Sequence, residues 1–246
     1  MLKKIAIGFV LLSLTTYLLG SVIFLSRRAT GRQKCSAVQV EVLNKTADAH
    51  FDEKDVLAFL NENQLNPVGK SLAKIQAGAI EAALETEVLV QNAEVYKTVG
   101  GTVKINVTMR TPVLRVIANG KNYYIDDVGA VMPIPADFAA LVPVATGNVS
   151  EAFAMQELYK FVVSLQGDSF WDDLIEQIHV LPNLDIELVP KVGDHIILLG
   201  KIADYPENLS KLQLFYEKGL NKVGWDRYSM INLKYKNQVV CTKKTI

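Results

Sequence analysis

The chain has two cysteines and three histidines in 246 residues. Cys35 and Cys241 stand far apart, with no Cys-x-x-Cys, so no zinc knuckle or redox motif is implied. A disulfide between them stays open from sequence alone, though two independent thiols are the simpler reading. His50, His179 and His195 share no chelating spacing, which leaves no candidate metal site. No glycine-rich loop cradles a phosphate, and no cofactor is expected. The formal net charge is zero, but unevenly distributed. Lys3, Lys4, Arg27, Arg28, Arg32 and Lys34 precede the first acid, Glu41, leaving 20 basic residues against 26 acids thereafter. An acidic folded part argues against nucleic-acid binding.

What the chain does have begins with apolar length. Ile5 to Leu25 is uncharged over 21 residues, roughly 31 Å as a helix, about one hydrocarbon core. It is too long for the apolar region of a signal peptide, and no small-x-small cleavage site follows, so an uncleaved anchor is expected. Basic residues flank both ends. The bias of four after the span, read literally, keeps the folded part in the cytoplasm. A basic, polar linker follows to residue 36.

Periodicity then defines two domains. Val38 to Val42 alternates as a strand. In "HFDEKDVLAFL", Asp52 can cap a helix with Asp55 at its third position. Ser71 can cap a second helix to about Glu85. Val88 to Val99 reads as a strand whose parity slips near Gln91-Asn92, the mark of a bulge. Val103, Ile105, Val107 and Met109 alternate with polar residues in the next strand. Residues 37–110 thus read β-α-α-β-β, two helices on a small mixed sheet. Pro112 opens the rest, residues 111–246. Asn119-Gly120 signals a hairpin. Ser150 can cap a helix through Gln166, with Ala154, Leu158, Phe161, Val162 and Leu165 on one face. Ile175 to Val180, Asp185 to Val189 and His195 to Leu199 read as strands, and Leu209 to Lys222 as a helix. The fold class is α+β: an N-terminal transmembrane helix, the β-α-α-β-β domain, then a mostly antiparallel β domain with two helices.

The chain closes on "SMINLKYKNQVVCTKKTI". Ile231, Leu233 and Tyr235 alternate with Asn232, Lys234 and Lys236, and Lys236-Asn237-Gln238 can turn the chain back into Val239-Val240-Cys241. A terminal hairpin raises the question of what pairs its outer edge. The lysines could simply protect that edge from aggregation.

Candidate chemistry is sparse. Ser71-Leu72-Ala73-Lys74 matches the Ser-x-x-Lys acylation motif, but the companion Ser-Asp-Asn and Lys-Thr-Gly motifs are missing. A helix cap followed by a solvated lysine explains it better. Asp126-Asp127 suits a turn better than an acid pair. Four Asn-x-Ser/Thr sequons, at Asn44, Asn106, Asn148 and Asn208, read as chance.

Several stretches carry a resemblance. "IEAALETEVLVQNAEVYKTVGGTVKINVTMRTPVLRV" (80–116) resembles the POTRA module of the bacterial cell-division family FtsQ/DivIB. "YYIDDVGAVMP" (123–133), "ELVPKVGDHIILLG" (187–200) and "GWDRYSMINLKYKNQVVC" (224–241) resemble its β domain. Met109 stands where Gln is common in the family, and the Asn-Pro often found near "ETEVLV" is missing. The resemblance implies residues 1–4 as a cytoplasmic tail, 5–25 as the anchor, 26–36 as a linker, 37–110 as the POTRA domain and 111–246 as the β domain. It implies a single-pass type II protein of the inner membrane with its bulk in the periplasm, against the literal charge bias. It further implies a non-enzymatic scaffold that recruits FtsB and FtsL by strand addition at the C-terminal edge. The matching positions are Lys234, Tyr235, Asn237 and Gln238, with Lys243 further on, where the family often has an aromatic. Two alternatives are a membrane-tethered Ser/Lys hydrolase using Ser71 and Lys74, and a POTRA-bearing translocation component.

Overall fold

A computed structural model describes residues 12–23, 33–44, 51–135, 139–172 and 174–245. Helix α1 covers residues 12–23 and is exposed along nearly all its length. Among the described residues no helix is long and apolar enough to cross a membrane. The remainder of the expected anchor, residues 5–11 and 24–25, lies outside the described residues, as do His50 and the tail 1–4. The chain divides into two compact units, Met1–Met109 and Arg110–Ile246.

In the first unit, β1 (Ala37–Leu43) is followed by α2 (Glu53–Glu62), α3 (Ala77–Leu84), β2 (Val90–Lys97) and β3 (Thr102–Met109). The sheet order is β1-β3-β2, with β1 parallel and β2 antiparallel to β3. Asp52 caps α2 by accepting from the Lys54 amide at 2.7 Å, while Asp55 accepts from the Asp52 amide at 2.7 Å. This reciprocal box satisfies amides that the first helical turn leaves without intrahelical partners. Val56 and Leu60 of α2 and Ile80 and Leu84 of α3 bury against Val103, Ile105 and Val107 of β3. The β2–β3 register shifts between Val90 and Asn92, the bulge that the apolar parity predicts.

The second helix is shorter than expected. Ser71 does not cap it. Ser71 forms an isolated bridge with Lys34 instead, and the helix starts after Gln76. The backbone of 69–72 is taken up by residues 33–35: the Gly69 amide donates to Cys35 O at 2.8 Å and the Leu72 amide to Gln33 O at 2.9 Å. Leu72 and Ile75 still reach the core, from the turn rather than from a helix face. Ser71 and Lys74 therefore lack the helical seating of the acylation motif.

The second unit holds β4 (Pro112–Ala118), β5 (Lys121–Asp126), β6 (Val131–Pro133), β7 (Val144–Gly147), β8 (Ile175–Val180), β9 (Asp185–Pro190), β10 (Ile196–Lys201), β11 (Tyr228–Asn232) and β12 (Val240–Lys243). They form one sheet in the order β12-β11-β10-β9-β8-β7-β4-β5-β6. Five of its ladders are antiparallel and three parallel. The sheet is thus mixed, with antiparallel ladders in the majority. Two of the parallel pairs arise where a helical crossover joins neighbouring strands, β7 to β8 and β10 to β11.

The first crossover, residues 151–166, is capped by Ser150 and runs as α4 (Glu151–Phe153), a π-helical turn at Ala154–Leu158 and α5 (Tyr159–Gln166). The five residues expected on its apolar face are all buried. The second comprises a 3₁₀ turn at Ile202–Asp204, α6 (Tyr205–Phe215), a π-helical turn at Tyr216–Leu220 and α7 (Asn221–Val223). It buries Leu209, Leu212, Tyr216 and Leu220 in the same core as Ile186, Leu188, Ile197 and Leu199. Asn119 and Gly120 have φ of +54° and +74°, the left-handed pair that a tight two-residue hairpin needs. Asp126 is a turn residue: its buried carboxylate accepts from the amides of Val128 and Ala130 and lies 3.5 Å from Arg110. Both cysteines are free thiols.

Candidate functional site at the C-terminal edge

β12 is the last strand of the nine-stranded sheet, and its only sheet neighbour is β11. Among the described residues no strand pairs its outer side. β11 lies between β12 and β10, parallel to β10 from Ile196↔Met230 to Leu198↔Asn232. Leu233 extends that contact by one bond, its amide donating to Leu198 O at 3.0 Å. The alternation read through Tyr235 therefore ends as strand at Asn232.

Three devices hold the connection after β11. The Asn232 side chain accepts from the Lys234 amide at 3.0 Å, bending the chain out of the ladder. Lys211 of α6 donates from Nζ to Leu233 O at 2.7 Å and to Tyr235 O at 3.0 Å. Lys234 donates from Nζ to Asp185 Oδ2 at 2.6 Å. Asp185, at the start of β9, is 2% exposed. It also takes Lys201 at 3.0 Å and the Asn183 amide at 3.0 Å. The hydrogen bond from Lys234 is the largest influence holding the Asp185 carboxyl below its ordinary range, with Lys201 and Asn183 adding to it and burial opposing. The Lys234 stem lies over Gly200, where a Cβ would stand 2.8 Å from Lys234 Cγ. A glycine at that point of β10 makes room for the lysine to reach Asp185.

Lys234, Tyr235, Asn237 and Gln238 thus gather in one connection between β11 and β12. Lys243 does not join them. It pairs with Tyr228 at the other end of the hairpin. Lys234 is committed to Asp185 rather than presented as a free cation. Tyr235 is about half exposed, at 49%. Asn237 turns the chain with φ of +59°. Asn237, Gln238 and Val239 face Lys211, Leu214 and Phe215 across a groove of about 720 Å³. Leu214 is half exposed there, an apolar floor beside the sheet edge.

Behind the hairpin, His195 Nε2 lies 2.8 Å from the Tyr216 hydroxyl, with Trp225 against both rings. Burial pushes the histidine below its usual range and the tyrosine well above its own. Lys244 pairs with Asp194 at 3.1 Å, tying the end of the hairpin to the loop before His195.

Asp185, Gly200 and Lys211 were not legible as site residues. Asp185 and Lys234 are 49 positions apart, and no local pattern links them. The one available signal was an acid opening a strand of otherwise apolar alternation.

A model described as FtsQ/DivIB, C-terminal related, matches residues 111–242, more than half of the chain. A model described as POTRA-like domain matches residues 33–108. No curated protein matches the chain. A POTRA-like unit followed by this β domain, in this order along one chain, makes the protein a member of the FtsQ/DivIB-like family.

Proposed function

We propose that this chain is a bitopic scaffold of the bacterial division machinery, anchored through residues 5–25 with its two folded units in the periplasm, which receives a partner strand along β12. The family is generally non-enzymatic and its membership carries a divisome-type role. The observation that supports the mode of binding is the uncovered outer side of β12, beside a connection that is already pinned. An edge strand offers unpaired backbone groups to an added segment, and alternate side chains supply selectivity.

Magnitudes divide the work. β12 has four residues. About four outward backbone bonds at roughly 0.5–1.5 kcal/mol each give only a few kcal/mol. Association costs about 4–15 kcal/mol. The remainder must come from Tyr235, from apolar side chains entering the groove by Leu214 and Phe215, and from confinement of both proteins to one membrane. Because the connection is held by Lys211 and Asp185, little further ordering is needed on binding. The expected occupant is an FtsB-type bitopic protein, itself paired with FtsL.

A pull-down of an FtsB-type partner by the full chain in detergent tests this. Tyr235→Glu should fold and lose capture; undiminished capture refutes the site. A reporter fused after Ile246 should be active only in the periplasm. Depletion in the native host should give filaments with unfinished septa.

A further inference from the structure

The first unit's sheet has β1 and β2 as its edges, and β2 is occupied from within. Ala93 pairs with Val107 and Val95 with Ile105, and each gives its amide to a glutamate carboxylate. The Val95 amide donates to Glu81 Oε1 at 2.7 Å and the Ala93 amide to Glu85 Oε1 at 3.3 Å. These are the outward donors of the strand. Glu81 of α3 and Glu85, its C-cap residue in αR conformation, are four residues apart, hence on one face about one turn apart. Two residues along a strand is about 6.8 Å, and one helical turn is about 5.4 Å, so the two carboxylates match alternate strand amides. Each is a charge-assisted acceptor, stronger than the neutral carbonyl a visiting strand would bring.

We infer that Glu81 and Glu85 plug the β2 edge, blocking strand addition on that side of the POTRA-like unit. An incoming strand would have to displace both carboxylates before making its first bonds. Its own carbonyls would gain only what the glutamates give up. The plug needs no side-chain contact with a partner, and it stands whether or not β12 receives one. It also guards against self-pairing: an exposed edge strand is a template for a second copy, and covering it with a helix is one remedy.

The test uses the full chain in detergent micelles. Amide exchange is read residue by residue by NMR, and self-association by sedimentation across a concentration series, the probe strand being a second copy of the chain. In Glu81→Ala/Glu85→Ala, the Ala93 and Val95 amides should exchange about tenfold faster or more while those of β3 keep their protection. The same variant should acquire concentration-dependent dimerisation. Glu81→Gln/Glu85→Gln keeps a carbonyl acceptor but loses its charge, and should fall between the parent and the double alanine variant in both measurements. Unchanged exchange at Ala93 and Val95, or faster exchange without any gain in dimerisation, overturns the proposal. Should the double alanine variant fail to fold, Glu85→Ala alone decides it: Ala93 opens and Val95 stays closed, or the plug is wrong.

Discussion

Asp185→Ala removes one carboxylate that three groups share. Lys234 and Lys201 are 43% and 55% exposed on their side chains, so water screens both pairs and each contributes at most about 1 kcal/mol. The Asn183 amide adds about 1 kcal/mol as a bond to a charged acceptor. The loss sums to about 2–3 kcal/mol, and at roughly 2–4 °C per kcal/mol for a chain of this size, Tm should fall by about 5–10 °C. The variant should also change shape in pH. The folded carboxyl is held below its ordinary value, so the folded state binds fewer protons than the unfolded chain as pH falls past about 4. That stability is fully present above the unfolded pKa and drains away as pH drops through the folded one. Thermal unfolding by circular dichroism, from neutral pH to pH 2, should show this acid loss in the parent and a reduced loss in Asp185→Ala. A Tm within about 1 °C of the parent at pH 7, or an acid limb of equal depth in both, refutes the reasoning.

At Gly147 a Cβ would sit 2.2 Å from Val180 O with φ of +88°, so Gly147→Ala combines overpacking with backbone strain; a loss of about 3–5 kcal/mol should show as failure to accumulate folded protein. Gly120 has open space around it, so Gly120→Ala isolates the left-handed turn, and urea unfolding should register about 1–2 kcal/mol. His195 is held below its usual range chiefly by burial, with Lys244 lowering it further and Asp194 opposing; the unfolded chain therefore takes up a proton first, and urea midpoints should fall as pH drops below about 6.5, less steeply in His195→Phe. Tyr235→Ala exposes no core and should move Tm by no more than about 2 °C while weakening capture of the partner.

The legible features were those encoded by neighbours in sequence. The capping box at Asp52, the β2 bulge, the Asn119-Gly120 turn and the apolar face of 151–166 each depend on residues a few positions apart. Ser71 misled because its competitor, the backbone of 33–35, is remote and carries no side-chain signature. The parallel ladders were hidden for a similar reason, since direction follows from where a crossover lands. At the candidate site the sequence placed Lys234, Tyr235, Asn237 and Gln238 together, because a connection keeps near neighbours together by itself. Lys243, further on, lies in β12 itself, and the antiparallel register sets it opposite Tyr228 at the other end of the hairpin. What anchors the group, Asp185 and Lys211, comes from β9 and α6 and is visible only once those elements pack.

The brevity of β12 has its own consequence. Four residues, ended on one side by a clamped bend, set an upper limit on how far a visiting segment can zip. Such a docked segment can peel away quickly, and residence depends on what else holds the visitor nearby.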